Sequence, residues 1–174
     1  MSESVHKHRE SAPEYVRVAV LTISDTRTPE TDTGGDTIEE LMRDAGHEVV
    51  GRDIVKDDAA RIRAEIVNLL TRSDVDAVIT TGGTGISARD TTYEVVERML
   101  DKKLDGFGEI FRVLSYEEIG AAAILSRAVA GAVGAKLVAC LPGSRSAVRL
   151  AVEKLLVPEI AHIVFELKKH QEGS

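Results

Sequence analysis

The chain has no tryptophan, and its 174 residues include only three phenylalanines and three tyrosines. Its core must therefore be built from Val, Ile, Leu and Ala. A single cysteine excludes an intramolecular disulfide framework and any cysteine-rich zinc site. That residue, Cys140, sits in KLVACLPG and reads as a small hydrophobe in a buried strand. No apolar run reaches the roughly 18 residues of a membrane span. The first residues, MSESVHKHRESAPEY, lack the apolar centre of a secretory signal, so the expected location is the cytoplasm. Residues 1–14 read as a loose polar arm and 171–174 as a tail. His6 and His8 could touch a metal, but a polar arm of this composition reads more simply as unstructured chain. Basic residues are also in deficit, 22 Lys and Arg against 29 Asp and Glu, for a net charge of −7. This balance argues against a nucleic-acid partner, which requires clustered cations. It leaves room for an anionic small ligand, because a local nest of N–H groups binds phosphate whatever the net charge.

What is present is ordinary for a soluble globular protein, 43 % hydrophobic and 29 % charged, with enough chain for one well-buried domain over 15–170. VRVAVLTI (Val16–Ile23) is a nearly continuous apolar run, the mark of a strand covered on both faces. SDTRTPETDTGGD then reads as a long polar loop. In TIEELMRDAG, Ile38, Leu41, Met42 and Ala45 recur at helical spacing, and Gly46 supplies a helix stop. HEVVGRDIV is a second strand. KDDAARIRAEIVNLLTRS is a helix whose acids suit the N-terminal dipole and whose Ile62, Ile66 and Leu69 or Leu70 form one apolar face. VDAVITT is a third strand, and the spacing of Thr91 and Glu94 predicts a capping box opening the next helix. The stretch 104–135 reads as mostly helical, KLVACL as the last strand, and the remainder as a long helix that Pro158 should kink or split. Alternating strands and helices imply parallel pairing through right-handed crossovers. The expected fold is a three-layer α/β/α sandwich with a mostly parallel central sheet.

In such sheets ligands lie beyond the carboxyl ends of the strands. Four loops should share that rim: Ser24 and Asp25, Asp57 and Asp58, the segment from Gly82 to Asp90, and Pro142-Gly143-Ser144. In GGTGISARD, Gly82, Gly83 and Gly85 allow positive φ and close approach of the backbone to a ligand, and the adjoining helix N-terminus favours an anion. A tight turn alone would need one glycine, not three among hydroxyls. No lysine completes a P-loop. The formal dinucleotide match Gly83-Thr84-Gly85-Ile86-Ser87-Ala88 is accidental: it follows the third strand, and Asp105, at the required distance, follows a helix. Asp57 and Asp90 follow adjacent strands, and two carboxylates beside a phosphate cradle call for a divalent cation, with Mg²⁺ the usual choice. Asp57 could equally be a helix cap, as could its neighbour Asp58, and Arg89 is placed either to pair with Asp90 or to hold phosphate.

LTISD, VKDD, TTGGTG followed by RD, GFGEIFRVLSYEEIG, LSRAVAG and LPGS occur in that order. Together, over about Val16 to His170, they resemble the MoaB/Mog family of molybdenum-cofactor biosynthesis proteins, and GFGEIFRVLSYEEIG and SRAVAG resemble its MoaB branch most. The resemblance implies an α/β/α domain that assembles as a homotrimer or a dimer of trimers. It also implies transfer of adenylyl from Mg²⁺-ATP to the terminal phosphate of molybdopterin, with release of pyrophosphate. It puts Asp57 and Asp90 at the two catalytic, Mg²⁺-binding acids and Gly82, Gly83, Thr84, Gly85 and Ser87 in the pterin and nucleotide pocket. Ser24, Asp25, Gly143 and Ser144 fall on the pocket wall, and Ser115, Ser126 and Arg127 on the pterin side. Two departures stand out. Thr92-Tyr93-Glu94 replaces the Thr-Pro-Glu of many active members, and the last loop, PGSRSAV, lacks a second proline. Some MoaB-type members lack one or both acids and do not catalyse; both acids stand here. Alternatives to the enzyme are a non-catalytic molybdopterin carrier and an oligomeric scaffold.

Overall fold

In a computed structural model, residues 13–169 are described; residues 1–12, with His6 and His8, and the tail from 170 lie outside them. The strands are β1 (Arg17–Ile23), β2 (Glu48–Val55), β3 (Ala77–Thr81), β4 (Lys102–Lys103), β5 (Val129–Val133) and β6 (Lys136–Leu141). The helices are α1 (Thr33–Asp44), α2 (Ala59–Thr71), α3 (Thr92–Met99), α4 (Asp105–Ile119), α5 (Arg145–Ala151) and α6 (Val157–Lys168). The sheet runs β2-β1-β3-β6-β5-β4. Its first four strands are parallel, and β5 and β4 add antiparallel.

Period-2 alternation divides the apolar residues between two cores. Val18 and Val20, Ile79, and Leu137, Ala139 and Leu141 face Ile38 and Met42 of α1, Phe111 of α4, and Val148, Ile160 and Val164 near the C-terminus. Ala19, Leu21 and Ile23, Val78, and Val138 and Cys140 face Ile62, Ile66 and Leu69 of α2 and Val96 of α3. This is the three-layer arrangement expected from the sequence. Cys140 is fully buried, and burial pushes its thiol up to about 12, so it acts as packing rather than as a nucleophile.

Several local expectations are corrected. The polar loop after β1 is shorter than expected, because α1 starts at Thr33 and includes Gly34 and Gly35. The cause is Asp32, whose Oδ1 accepts from the Gly35 amide at 3.0 Å. Segment 104–135 is helical through α4 and a 3₁₀ turn (Gly120–Leu125), but then contributes β5. The residues VAGAV carry too little apolar bulk to announce a strand; pairing with β6 through a turn at Gly134 (φ +58°) makes them one. Pro158 does not split the terminal helix: the backbone stays helical throughout, with a π-helical turn (Val152–Leu156) just before α6, in whose first turn the proline lies. Gly46 ends α1 with φ +86°, as its position implies.

At the opposite pole from the strand carboxyl ends, Asp76 fastens three segments. It takes both Arg17 side-chain bonds, at 3.0 and 2.9 Å, the Arg17 amide at 2.9 Å, and Lys168 Nζ of α6 at 2.5 Å.

Candidate active site

Parallel alignment of β2, β1, β3 and β6 brings their following loops to one edge. The loops are laced together by the backbone: Ser24 N–H donates to Val55 O at 2.9 Å, and Gly82 N–H to Leu141 O at 3.1 Å. Thr81 Oγ1 donates to Pro142 O at 2.9 Å. Ser24 Oγ accepts from the Thr26 and Arg27 amides, starting the loop after β1. Asp32 closes that loop. It is fully buried, accepts from Thr22 Oγ1 at 2.8 Å, and pairs with Arg52 Nη2 of β2 at 2.9 Å. Sequence reasoning singles out neither Asp32 nor Arg52; twenty residues separate them, and a mid-loop acid carries no mark of its partner.

Gly82 and Gly83 have φ of +97° and +63°. Each also lies where a side chain has no room. A Cβ on Gly82 would overlap the Ile23 carbonyl oxygen, and one on Gly83 would overlap Thr92 Oγ1 and come within 2.6 Å of Asp57 Oδ2. Gly85 needs no positive φ, but a Cβ there would lie 2.6 Å from Asp90 Oδ2. All three glycines are thus required by close approach, and two of the approaches are to the acids. Gly143 packs on Gly82, its would-be Cβ 3.2 Å from the Gly82 Cα. Thr84 is buried within the loop.

The capping box expected at Thr91 and Glu94 does not form. Thr91 precedes α3 without a side-chain cap bond. Its hydroxyl and amide instead donate to Asp57 Oδ1 at 3.1 and 3.4 Å. The helix-cap alternative for Asp57 also fails, because Asp58 caps α2 by accepting from the Arg61 amide at 2.9 Å. Asp57 is therefore turned toward the loop after β3, and its own amide donates to Asp25 Oδ1 at 3.3 Å. Burial raises the Asp57 carboxyl above its ordinary value; the two Thr91 bonds oppose this, and the charges of Asp90 and Asp25 add to it. Asp90 Oδ2 accepts from Ser87 Oγ at 2.5 Å and from the Ser87 amide at 3.1 Å. Its hydrogen bonds come from Ser87, not from Arg89.

Two cavities open off this edge. On the β2 side, one of about 550 Å³ is lined by Ser24, Asp25, Arg27 and Lys56. On the β6 side, one of about 150 Å³ brings together Ser115, Ser126, Pro142 and Ser144. Ser115 is buried, and its hydroxyl donates to Phe111 O at 2.7 Å within α4. Ser144 caps α5, accepting from the Ala147 amide at 3.3 Å. Arg127 does not line either cavity; it reaches Gly85 O at 3.1 Å, Glu94, and the face of Tyr93 at 4.2 Å from the ring centroid. Tyr93 is one of the two departures noted in the sequence.

Hard carboxylate oxygens suit Mg²⁺. Asp57 Oδ2 and Asp90 Oδ1 accept no hydrogen bond among the described residues, whereas the other oxygen of each is held. Among the described residues no three His, Cys, Asp or Glu side chains are spaced to hold an ion by themselves. Asp57 and Asp90 could therefore supply at most part of the coordination shell of such an ion. Among the described residues no helix is long and apolar enough to cross a membrane.

Comparison with known proteins agrees with this fold. Residues 19–162 match a family model described as a probable molybdopterin binding domain. The chain is 51 % identical to molybdenum cofactor biosynthesis protein B of Bacillus cereus over 167 residues, 95 % of this chain and 99 % of that one. It is 46 % identical to the Bacillus subtilis protein of the same name, over 95 % of this chain and 98 % of that one. Among solved structures, a molybdenum cofactor biosynthesis protein B superposes with TM-score 0.89 at 51 % identity, covering 92 % of this chain and all of that one. The tungsten cofactor synthesizing protein MoaB of Pyrococcus furiosus superposes with TM-score 0.81 at 36 % identity, covering 90 % and 99 %. With the ordered motifs, the parallel-sheet rim and these matches in agreement, the chain belongs to the MoaB/Mog family of molybdenum-cofactor biosynthesis proteins.

Proposed function

We propose that the protein is an Mg²⁺-dependent molybdopterin adenylyltransferase acting in molybdenum-cofactor biosynthesis. The observation that carries this reading is the convergence of Asp57 and Asp90 on one glycine loop, each with one oxygen held by the protein and the other left available. In the reaction, an oxygen of the molybdopterin phosphate attacks the α-phosphorus of ATP, the bond to the bridging oxygen breaks, and pyrophosphate leaves. Mg²⁺, when bound, supplies charge neutralisation at the phosphates. The chain's own groups orient and position. Thr91 fixes the Asp57 carboxylate, Ser87 fixes that of Asp90, and Gly82, Gly83 and Gly85 let the loop lie against both acids. The two cavities, one beside the loops after β1 and β2 and one beside the loop after β6, suit a two-part substrate, nucleotide and pterin.

The reading includes a homo-oligomer. Ile110, Val113, Tyr116 and Ile119 on α4, with Ile124 and Leu125 beyond it, form an exposed apolar strip of the kind that covers itself by association. Val113→Asp should lower the sedimentation coefficient of the purified protein.

The test of the activity is pyrophosphate release from Mg²⁺-ATP and molybdopterin. Asp90→Asn and Asp57→Asn should each lower turnover by about a hundredfold or more, with the fold intact, since metal-centred charge stabilisation amounts to several kcal/mol. A fully active Asp90→Asn protein would refute the mechanism. Molybdopterin binding without pyrophosphate release would make the chain a carrier, and binding of neither ligand a scaffold.

A further inference from the structure

Residues 84–90 hold both Ser87 and Asp90, yet little of the protein grips them. Within the segment, Ser87 and Asp90 bond each other through side chain and backbone. Among the described residues, one hydrogen bond reaches 84–90 from elsewhere in the chain, from Arg127 Nη1 to Gly85 O at 3.1 Å. The far side of Gly85 lies against the Asp90 carboxylate, where a Cβ would come within 2.6 Å of Oδ2. Arg127 therefore reaches Asp90 through Gly85.

Arg127 is itself held on two further sides. Its Nη2 pairs with Glu94 Oε1, and its guanidinium lies over the Tyr93 ring. Both residues belong to the first turn of α3, the helix that follows the loop. Tyr93 is braced in turn by its hydroxyl, 3.4 Å from Glu97 Oε1, which Lys103 also pairs at 2.7 Å. Glu94 Oε2 is buried without a hydrogen-bond partner among the described residues, while the Glu94 side chain as a whole is 41 % exposed, so its grip on Arg127 runs through Oε1 alone. A guanidinium suits this place because its planar fork donates in two directions while its face stacks; an ammonium could not do all three.

We propose that Arg127 is a positioning residue: it clamps the carbonyl of Gly85 to the start of α3 and so sets the place of Asp90, rather than touching the pterin. The role in turnover rests on the adenylyltransferase reading, but the clamp itself does not. The Tyr93 that departs from the commoner proline is part of it, supplying the ring on which the guanidinium rests.

The test separates the two. Amide hydrogen exchange is measured on the ligand-free protein for residues Gly85 to Asp90. Arg127→Gln should speed exchange there by about tenfold or more, the scale of a lost charge-assisted hydrogen bond. Glu94→Ala should do the same in part, and the double variant should be no worse than Arg127→Gln alone, because both act through one contact. Tyr93→Phe, which keeps the ring but loses its bond to Glu97, should speed exchange less than Arg127→Gln does. In pyrophosphate release, Arg127→Gln should lower kcat by about a hundredfold with KM for molybdopterin changed little, as expected from a displaced Asp90. Unchanged exchange in ligand-free Arg127→Gln, with KM for molybdopterin raised and kcat kept, would overturn the clamp and make Arg127 a direct ligand contact. If the original protein releases no pyrophosphate at all, the adenylyltransferase reading fails while the exchange experiment still decides the clamp.

Discussion

Replacing Gly82 by alanine tests whether the loop after β3 is built for a turn or for close approach. Gly134, in the β5–β6 turn, serves as the control. Both have positive φ, +97° and +58°, so alanine at Gly134 carries the left-handed penalty of about 1–2 kcal/mol and alanine at Gly82, outside the left-handed helical well, carries at least that. Each substitution also recovers about 0.4–1 kcal/mol from the less flexible unfolded chain. The surroundings differ. A Cβ at Gly134 meets nothing within 4 Å, whereas at Gly82 it runs into the carbonyl oxygen of Ile23, with the Ile23 carbonyl carbon at 3.3 Å. That obstacle is backbone at the end of a central strand and cannot rotate away, so relief requires β1 and β3 to part. Overpacking of this kind costs about 1–3 kcal/mol. Gly134→Ala should therefore destabilise by about 1 kcal/mol and Gly82→Ala by about 2–4 kcal/mol. Urea titration at fixed protomer concentration measures both, because association would otherwise shift the midpoints. If the two variants agree within about 0.5 kcal/mol with equal slopes, Gly82 is needed for its dihedral alone and the close-approach reasoning is wrong.

The raised carboxyl of Asp57 has a stability signature. A group whose folded pKa lies above its unfolded value binds more protons when folded, so stability falls as pH rises from the ordinary carboxylate range through the raised value. Asp57→Asn keeps an acceptor for Thr91 and removes the charge; it should be more stable than the original above that window, equal to it below, and nearly inactive, which paired pH-dependent denaturation and turnover would check. Asp76 has the opposite sign, because Arg17 and Lys168 hold it below the usual carboxylate range despite its burial. Its contribution is fully present above the unfolded carboxyl pKa and is lost progressively as pH falls from there through the depressed folded value. Asp76→Asn should cost about 1–2 kcal/mol at neutral pH, less than a fully buried pair because Arg17 and Lys168 are partly exposed to solvent, and the deficit should shrink in acid denaturation series. An Asp76→Asn protein equally destabilised at pH 7 and pH 3 would contradict this account.

Much of the site is legible in the chain because a parallel sheet obeys a positional rule. Runs such as VRVAVLTI and KLVACL announce two-sided burial, and whatever follows them must collect on one rim. That rule groups Ser24, Asp25, Asp57, Asp90 and the glycines without reference to any contact. It fails where two local signals compete. Thr91 and Glu94 have capping-box spacing, but each finds a stronger partner across the fold, Asp57 for the hydroxyl and Arg127 for the carboxylate. VAGAV escapes notice because small residues advertise neither period, and its strand state comes from the neighbours it pairs with.

Which segments are covered on both faces, where glycine and carboxylate interrupt them, and which family's ordered motifs the chain carries are all readable from the residues alone. These are local properties, set by side-chain bulk, period and backbone freedom. Which acid faces which is a matter of packing in three dimensions. Asp57 turns to Thr91 while Asp58 caps a helix, Asp32 is buried against Arg52, and Arg127 grips Gly85 rather than a cavity wall. Each choice joins residues that lie between 3 and 42 positions apart. Hydrogen-bond partners at the longer separations are selected by the docking of whole elements, which no single segment encodes.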